Sequence, residues 1–78
     1  GLQVDGTLQV NIYGNTMPVI PVFEVSGANN LKVSFNGQTY DLQSGTNKIY
    51  SIVTTEGNNY LTFTGQGTVT ISYRGGSL

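Results

Sequence analysis

The sequence predicts an all-β fold, a small antiparallel β-sandwich of about seven or eight short strands. Three observations lead there. Apolar and polar residues alternate with a period of two in segment after segment, and no stretch shows a helical period. Glycine, asparagine and serine clusters punctuate the chain at roughly 8–12-residue intervals, the turn spacing of sandwiches and small barrels. Threonine and β-branched residues fill the alternating segments, where a pleated, half-buried surface suits them.

From the N-terminus, Leu2 and Val4, then Leu8, Val10 and Ile12, alternate with Gln3, Asp5, Gln9 and Asn11. Asp5-Gly6 is a turn or a bulge between the two groups. Gly14-Asn15-Thr16 closes the segment. Pro18 and Pro21 interrupt the next apolar run, and neither can donate to a ladder. A strand here is an edge strand, or it starts after Pro21 with Val22, Phe23 and Val25. Ser26-Gly27-Ala28-Asn29-Asn30 reads as a loop. Leu31, Val33 and Phe35 form a third strand. Asn36-Gly37 then makes a two-residue type I′ turn, with positive φ at both positions, into a return strand from Thr39 to Leu42. Gly45-Thr46-Asn47 turns the chain into a strand from Lys48 to Val53 that is apolar on both faces.

The plainest pattern runs from Glu56 to Arg74. Leu61 and Phe63 alternate with Thr62 and Thr64, and Val69, Ile71 and Tyr73 alternate with Thr68, Thr70 and Ser72. Gly65-Gln66-Gly67 between them reads as a hairpin connection, and Gly57-Asn58-Asn59 as the turn before it. The alternation places Val10, Ile12, Phe23, Leu31, Val33, Phe35, Leu61, Phe63, Val69 and Ile71 in the core.

Composition narrows the function. The chain has 78 residues, enough for a single domain spanning 1–78. It opens at Gly1 without methionine, as expected of a module cut from a longer protein or of a processed product. Three Lys or Arg against four Asp or Glu leave a formal charge of −1. Three scattered cations cannot neutralise a run of phosphates, so nucleic acid is not an expected partner. No apolar run approaches the ~20 residues of a spanning helix, and membrane insertion is not expected.

Cysteine and histidine are both absent. Histidine-dependent triads, cysteine nucleophiles and His or Cys metal sites are thereby excluded. The carboxylates are Asp5, Glu24, Asp41 and Glu56, which are either solvated or, in some pairing, an acid/base couple. A calcium site from Asp41, Glu56 and loop carbonyls lacks the ligand spacing of a calcium loop. Gly65-Gln66-Gly67 has neither the helix nor the lysine of a phosphate loop. The chain reads as non-enzymatic and without a cofactor.

Tyr13, Tyr40, Tyr50, Tyr60 and Tyr73 are the candidate contact residues, each near a strand end or a turn. They are either half-buried rim residues or a binding surface, because tyrosine joins a flat apolar face to a polar tip. Arg74 beside Tyr73 is either solvated or one half of an ion pair with a partner.

One resemblance spans most of the chain from Tyr13 onward. It rests on Gly14-Asn15 with Pro18 and Pro21, then Phe23-x-Val25-x-Gly27. It continues through Gly57-x-Asn59-x-Leu61 with Phe63-x-Gly65, and the ending Val69-x-Ile71-x-Tyr73-Arg74. These resemble the carboxy-terminal module of bacteriophage distal tail proteins, which are baseplate components. The resemblance implies a galectin-like β-sandwich attached to a ring-forming domain that this chain lacks. It implies a virion location, other tail and baseplate proteins as partners, and a homo-oligomeric ring as the parent. Some such modules grip host-envelope glycans through inserted domains, for which 78 residues leave no room. A host cell-surface glycan held by the tyrosines is the alternative reading, without the tryptophan that sugar sites commonly use.

Overall fold

Three stretches keep period-two alternation for longer than a short strand needs, and each becomes one long strand. The computed structural model describes residues 1–73 and the backbone of 76 and 77. Its strands are β1 (Leu2–Gly14), β2 (Val22–Phe35), β3 (Gln38–Asp41), β4 (Gly45–Lys48), β5 (Gly57–Tyr73) and β6 (Gly76–Ser77). All are antiparallel and hydrogen-bonded into one sheet in the order β1-β5-β2-β3, with β4 also on β2 and β6 on β5. No helix occurs among the described residues. The all-β, antiparallel expectation holds, with six strands among the described residues in place of the seven or eight expected.

The difference lies at the glycines. Gly65-Gln66-Gly67 is not a hairpin connection: β5 runs straight through it, and β1 pairs with β5 in unbroken register from Leu2↔Val69 to Gly14↔Gly57. Nor does Asp5-Gly6 end a strand; Gly6 sits opposite Gly65 within that pairing. The loop expected at 26–30 is the middle of β2. Its register against β5 slips once between Ser26 and Asn29 and again between Asn29 and Lys32. Each slip inserts one extra residue, which alone would turn the strand's faces over. Two slips cancel, so Phe23 and Val25 before them and Leu31, Val33 and Phe35 after them are all buried.

These irregularities lie at one level across the sheet, and there the sheet bends. A straight strand of 17 residues would run about 56 Å at ~3.3 Å per residue. The molecule's longest extent is 34 Å, so β5 must fold back with its neighbours. Gly65 has φ 102°, and a Cβ there would overlap the Asn30 carbonyl. Gly6 has φ 100° with open space around it. Gln66 spans the bend on the outer side, donating to Asp5 at 3.2 Å and accepting from Asn29 at 3.5 Å.

The bend brings the halves of the sheet together. Phe23 pairs with Ile71 in one half and Phe63 with Leu8 and Val33 in the other. The two rings nonetheless meet edge to face, centroids 6.0 Å apart at 74°. Around them lie Val4, Ile12, Val25, Leu31, Val33, Phe35, Leu42, Ile52, Leu61, Val69 and Ile71. Nine of the ten expected core residues are therefore buried, and Val10 is half-buried. Val10 faces inward, but among the described residues β1 has a strand neighbour on one side only, which leaves its inner row partly open.

The short elements follow local rules. Asn36 and Gly37 have φ of 50° and 78° and join Phe35 to Gln38, the type I′ turn that Asn-Gly favours. β2 begins at Val22, immediately after the buried Pro21. The strand expected from Lys48 to Val53 is absent. β4 comes earlier, at Gly45–Lys48, and the chain then turns, with the Ile52 N–H donating to the Ile49 carbonyl at 3.0 Å. Ile49 and Ile52 both reach the core from that turn, which explains apolar residues at odd and even positions.

Phe63→Ala should cost about 3–5 kcal/mol, because Phe63 is fully enclosed and its removal leaves a cavity beside Phe23 at the centre of the core. Chemical denaturation measures this, and an unchanged midpoint would mean that Phe63 is not in the core. Gly65→Ala should destabilise clearly more than Gly6→Ala. Both carry the strain of positive φ, roughly 1–2 kcal/mol, and only Gly65 adds the clash with Asn30. Equal losses at the two positions would count against the bend as drawn.

Candidate functional site

The five tyrosines do not act as one set. Tyr40 faces inward with Val33, and Tyr40 and Tyr73 pack against the core. Tyr13, Tyr50 and Tyr60 are exposed, at 71%, 71% and 53%. Tyr50 stands alone in the turn after β4, where the Lys48 ammonium lies 5.6 Å from its ring centroid, a cation–π distance. Arg74 lies outside the described residues. That leaves Tyr13 and Tyr60, which the fold brings to one surface.

The surface follows from register. Asn11 pairs with Tyr60 and Tyr13 with Asn58, so all four point to the same outer face, joined there by Gln9 and Thr62. On β2 and β3 the same face continues through Ser34, Thr39, Lys32 and Asp41. Hydrogen bonds run across it from strand to strand. Asn11 Nδ2 donates to Asn58 Oδ1 at 2.9 Å, Gln9 to Thr62 Oγ1 at 3.5 Å, and Ser34 and Thr39 share a hydroxyl bond of 3.0 Å. Lys32 and Asp41 form an ion pair with each other at the β3 side. The strand residues paired around the two tyrosines are amide and hydroxyl.

At the Tyr60 end this face drops into a cleft of about 360 Å³. Its walls are Phe35 and Asn36 from the end of β2, Val53 and Thr55 from the segment before β5, and Asn58, Asn59 and Tyr60 from β5 itself. Asn36, in the turn just past the last β2–β5 pair Ser34↔Thr62, lines the cleft together with Tyr60. Tyr60 thus has Asn11 across from it on β1 and Asn58 next to it along the face, and shares the cleft with Asn36.

One buried side chain holds the cleft's shape. The Asn59 amide donates to the carbonyls of Ile12, Thr55 and Gly57 at 3.0, 2.8 and 3.1 Å. Its Oδ1 accepts from the Thr55 N–H at 3.0 Å, and its own N–H donates to Asn11 Oδ1 at 3.0 Å. The residues expected to turn before β5 are therefore its first three, pinned to β1. Asn47 repeats the device at the start of β4. It accepts from the Gln43 N–H at 3.0 Å and donates to the carbonyls of Gln43, Gly45 and, across the strand gap, Phe23 at 2.7, 3.2 and 3.5 Å. The same Gly-x-Asn spacing, at 45–47 and 57–59, carries both. Every buried side-chain N or O atom among the described residues has a partner.

The carboxylates are spread out. Asp5 takes Gln66, Asp41 takes Lys32, and Glu24 accepts the Thr46 hydroxyl on both oxygens at 2.9 Å. Glu56 is exposed in the segment before β5. Among the described residues, no three Asp or Glu side chains gather as a metal site would require. The glycan reading expects asparagine and glutamine side chains beside the tyrosines, and the sequence does not say which ones gather around Tyr60. Their alternation is visible in the sequence, but their meeting depends on pairings between strands far apart in the chain.

Comparison of the chain with family models, with curated proteins and with solved structures finds no match in any of the three.

Asn59→Ala should cost about 2–4 kcal/mol, since it strands buried carbonyls and the Thr55 N–H together. Asn47→Ala, in the more exposed copy of the device, should cost less. Urea titration of the two variants tests the order, and its reversal would remove Asn59 as the holder of the cleft.

Proposed function

We propose that this chain is a structural module of a bacteriophage tail or baseplate protein, the outward-facing domain of a distal tail hub, and that it works by protein–protein docking. The observation that carries the docking reading is the edge strand β1. Its thirteen residues have β5 as their one strand partner among the described residues. An open edge offers N–H and C=O groups to a further strand, and proteins usually deter this with lysine, proline or short length. β1 is long, contains neither lysine nor proline, and carries one charge, at Asp5. Added strand hydrogen bonds of roughly 0.5–1.5 kcal/mol each give a modest single contact. Repetition around a ring would raise it greatly.

Two further points support the reading. The residues behind the resemblance to distal tail modules are frame residues: Gly57 and Asn59 in the β5 clasp, Gly65 at the bend, Phe23 and Phe63 at the centre of the core. A likeness carried by such positions speaks for a shared scaffold. The finer architecture we assign is galectin-like, a sandwich made by folding one sheet so that its halves meet through Phe23 and Phe63. In this reading the partners are other tail and baseplate proteins, the parent is a homo-oligomeric ring, and the location is the virion.

Antibodies raised against the chain should decorate the tail tips of particles prepared from its source, seen by negative-stain electron microscopy. Label on cells or in the medium, with bare particles, would overturn the assignment. In the full-length protein, Thr7→Lys with Gln9→Lys should leave the thermal midpoint within about 4 °C, since both side chains are exposed, and should abolish incorporation into tails. Normal incorporation of the double variant would remove β1 as the docking edge.

A further inference from the structure

The geometry points to a second, separate site: we propose that the cleft beside Tyr60 binds a neutral sugar, one ring of an uncharged oligosaccharide. This goes beyond docking along β1 and rests on different residues. A volume of about 360 Å³ falls within the ~300–1,000 Å³ of small-ligand sites. A pyranose has a C–H face and a rim of hydroxyls, and it needs a flat apolar surface together with groups that both donate and accept. Tyr60, half out of the surface, supplies the flat face. The Asn36 and Asn58 amides and the Thr55 hydroxyl supply the second kind of group.

The hydrogen-bond pattern separates framework from recognition. Asn59 is fully engaged in holding the wall, and the Asn11 amide is used on both atoms, by Asn58 and by the Asn59 N–H. Asn58 is fixed through its Oδ1, and its NH₂ group meets no protein acceptor among the described residues. It is oriented by one end and free at the other, as a ligand-binding amide must be.

The charge pattern selects the ligand class. No residue lining the cleft is charged; Lys32 and Asp41, farther along the same face, pair with each other, and the exposed Glu56, next in sequence to the lining Thr55, brings only a negative charge. A phosphate, sulfate or uronate would lose its water here without gaining a counter-charge. Neutral hydroxyls lose little. Tyr13 lies diagonally across the strand pair from Tyr60, roughly 7–8 Å away backbone to backbone, and offers a second flat face to the next ring of a chain.

The test is a glycan array carrying neutral and anionic oligosaccharides, followed by NMR titration of the isotope-labelled chain with lactose, cellobiose and N,N′-diacetylchitobiose. Binding to neutral glycans is expected, with millimolar single-site affinity and shifts clustered on Asn36, Thr55, Asn58 and Tyr60. Tyr60→Ala should weaken it at least tenfold with the thermal midpoint little changed, Tyr60→Phe should restore it, and Tyr50→Ala should leave it intact. Binding confined to anionic glycans, no binding to any neutral glycan, or binding that survives Tyr60→Ala would each overturn the proposal. Loss of tail incorporation in the β1 lysine variant, with sugar binding preserved, would show that the two sites act separately.

Discussion

The fold depends on three long strands bending at the same place. Gly6 and Gly65 are direct partners in the β1–β5 ladder, and the double slip of β2 lies alongside them. A bend in one strand alone would break its hydrogen bonds to the next. Placed together, the bends let the ladder continue through the corner, and Gln66 ties all three strands across it. Without that corner Phe23 and Phe63 would lie far apart on one open face. With it they become the centre of a core that a chain of 78 residues closes without a disulfide.

This corner also marks where the sequence stops being readable. Period-two alternation correctly separates inward from outward residues along β5. It cannot distinguish a strand that runs through Gly65-Gln66-Gly67 from one that turns there. In a hairpin with a three-residue connection, Phe63 and Val69 would be partners on one face; in a continuous strand they also share a face. Both readings bury the same side chains, so the core emerges almost intact from a wrong topology. What decides is β1, whose thirteen residues match β5 along its length, and pairing partners leave no local trace. Asn36-Gly37 is the opposite case, because two adjacent residues set its geometry by themselves. At Ile49 to Ile52 a turn imitates a two-faced strand, since its inward side chains are three apart.

The candidate site divides along the same line. Tyrosine is conspicuous in any sequence, and five of them invite equal attention, yet two belong to the core and one stands with Lys48. The asparagines that give Tyr60 its surroundings look like ordinary turn and loop residues. Their roles separate only in three dimensions: Asn59 is spent on backbone groups, Asn11 on its neighbours, and Asn58 keeps donors in reserve. The paired Gly-x-Asn clasps show the same economy. One short spacing is used twice to start a strand and fasten it to the strand beside it.

The placement of β1 has a consequence for how the molecule comes into being. Its one strand partner among the described residues is β5, so Gly14 waits for Gly57 and Leu2 for Val69. On a ribosome adding roughly 5–20 residues per second, β1 spends seconds without its ladder. The Asn-Gly hairpin of β2 and β3 closes locally and can form long before. Folding of this small domain is therefore set by one long-range closure, of the kind that makes β-proteins slow. Until then β1 is an alternating apolar segment open on both edges, the form in which a newborn chain most needs a chaperone or a neighbouring copy kept at a distance.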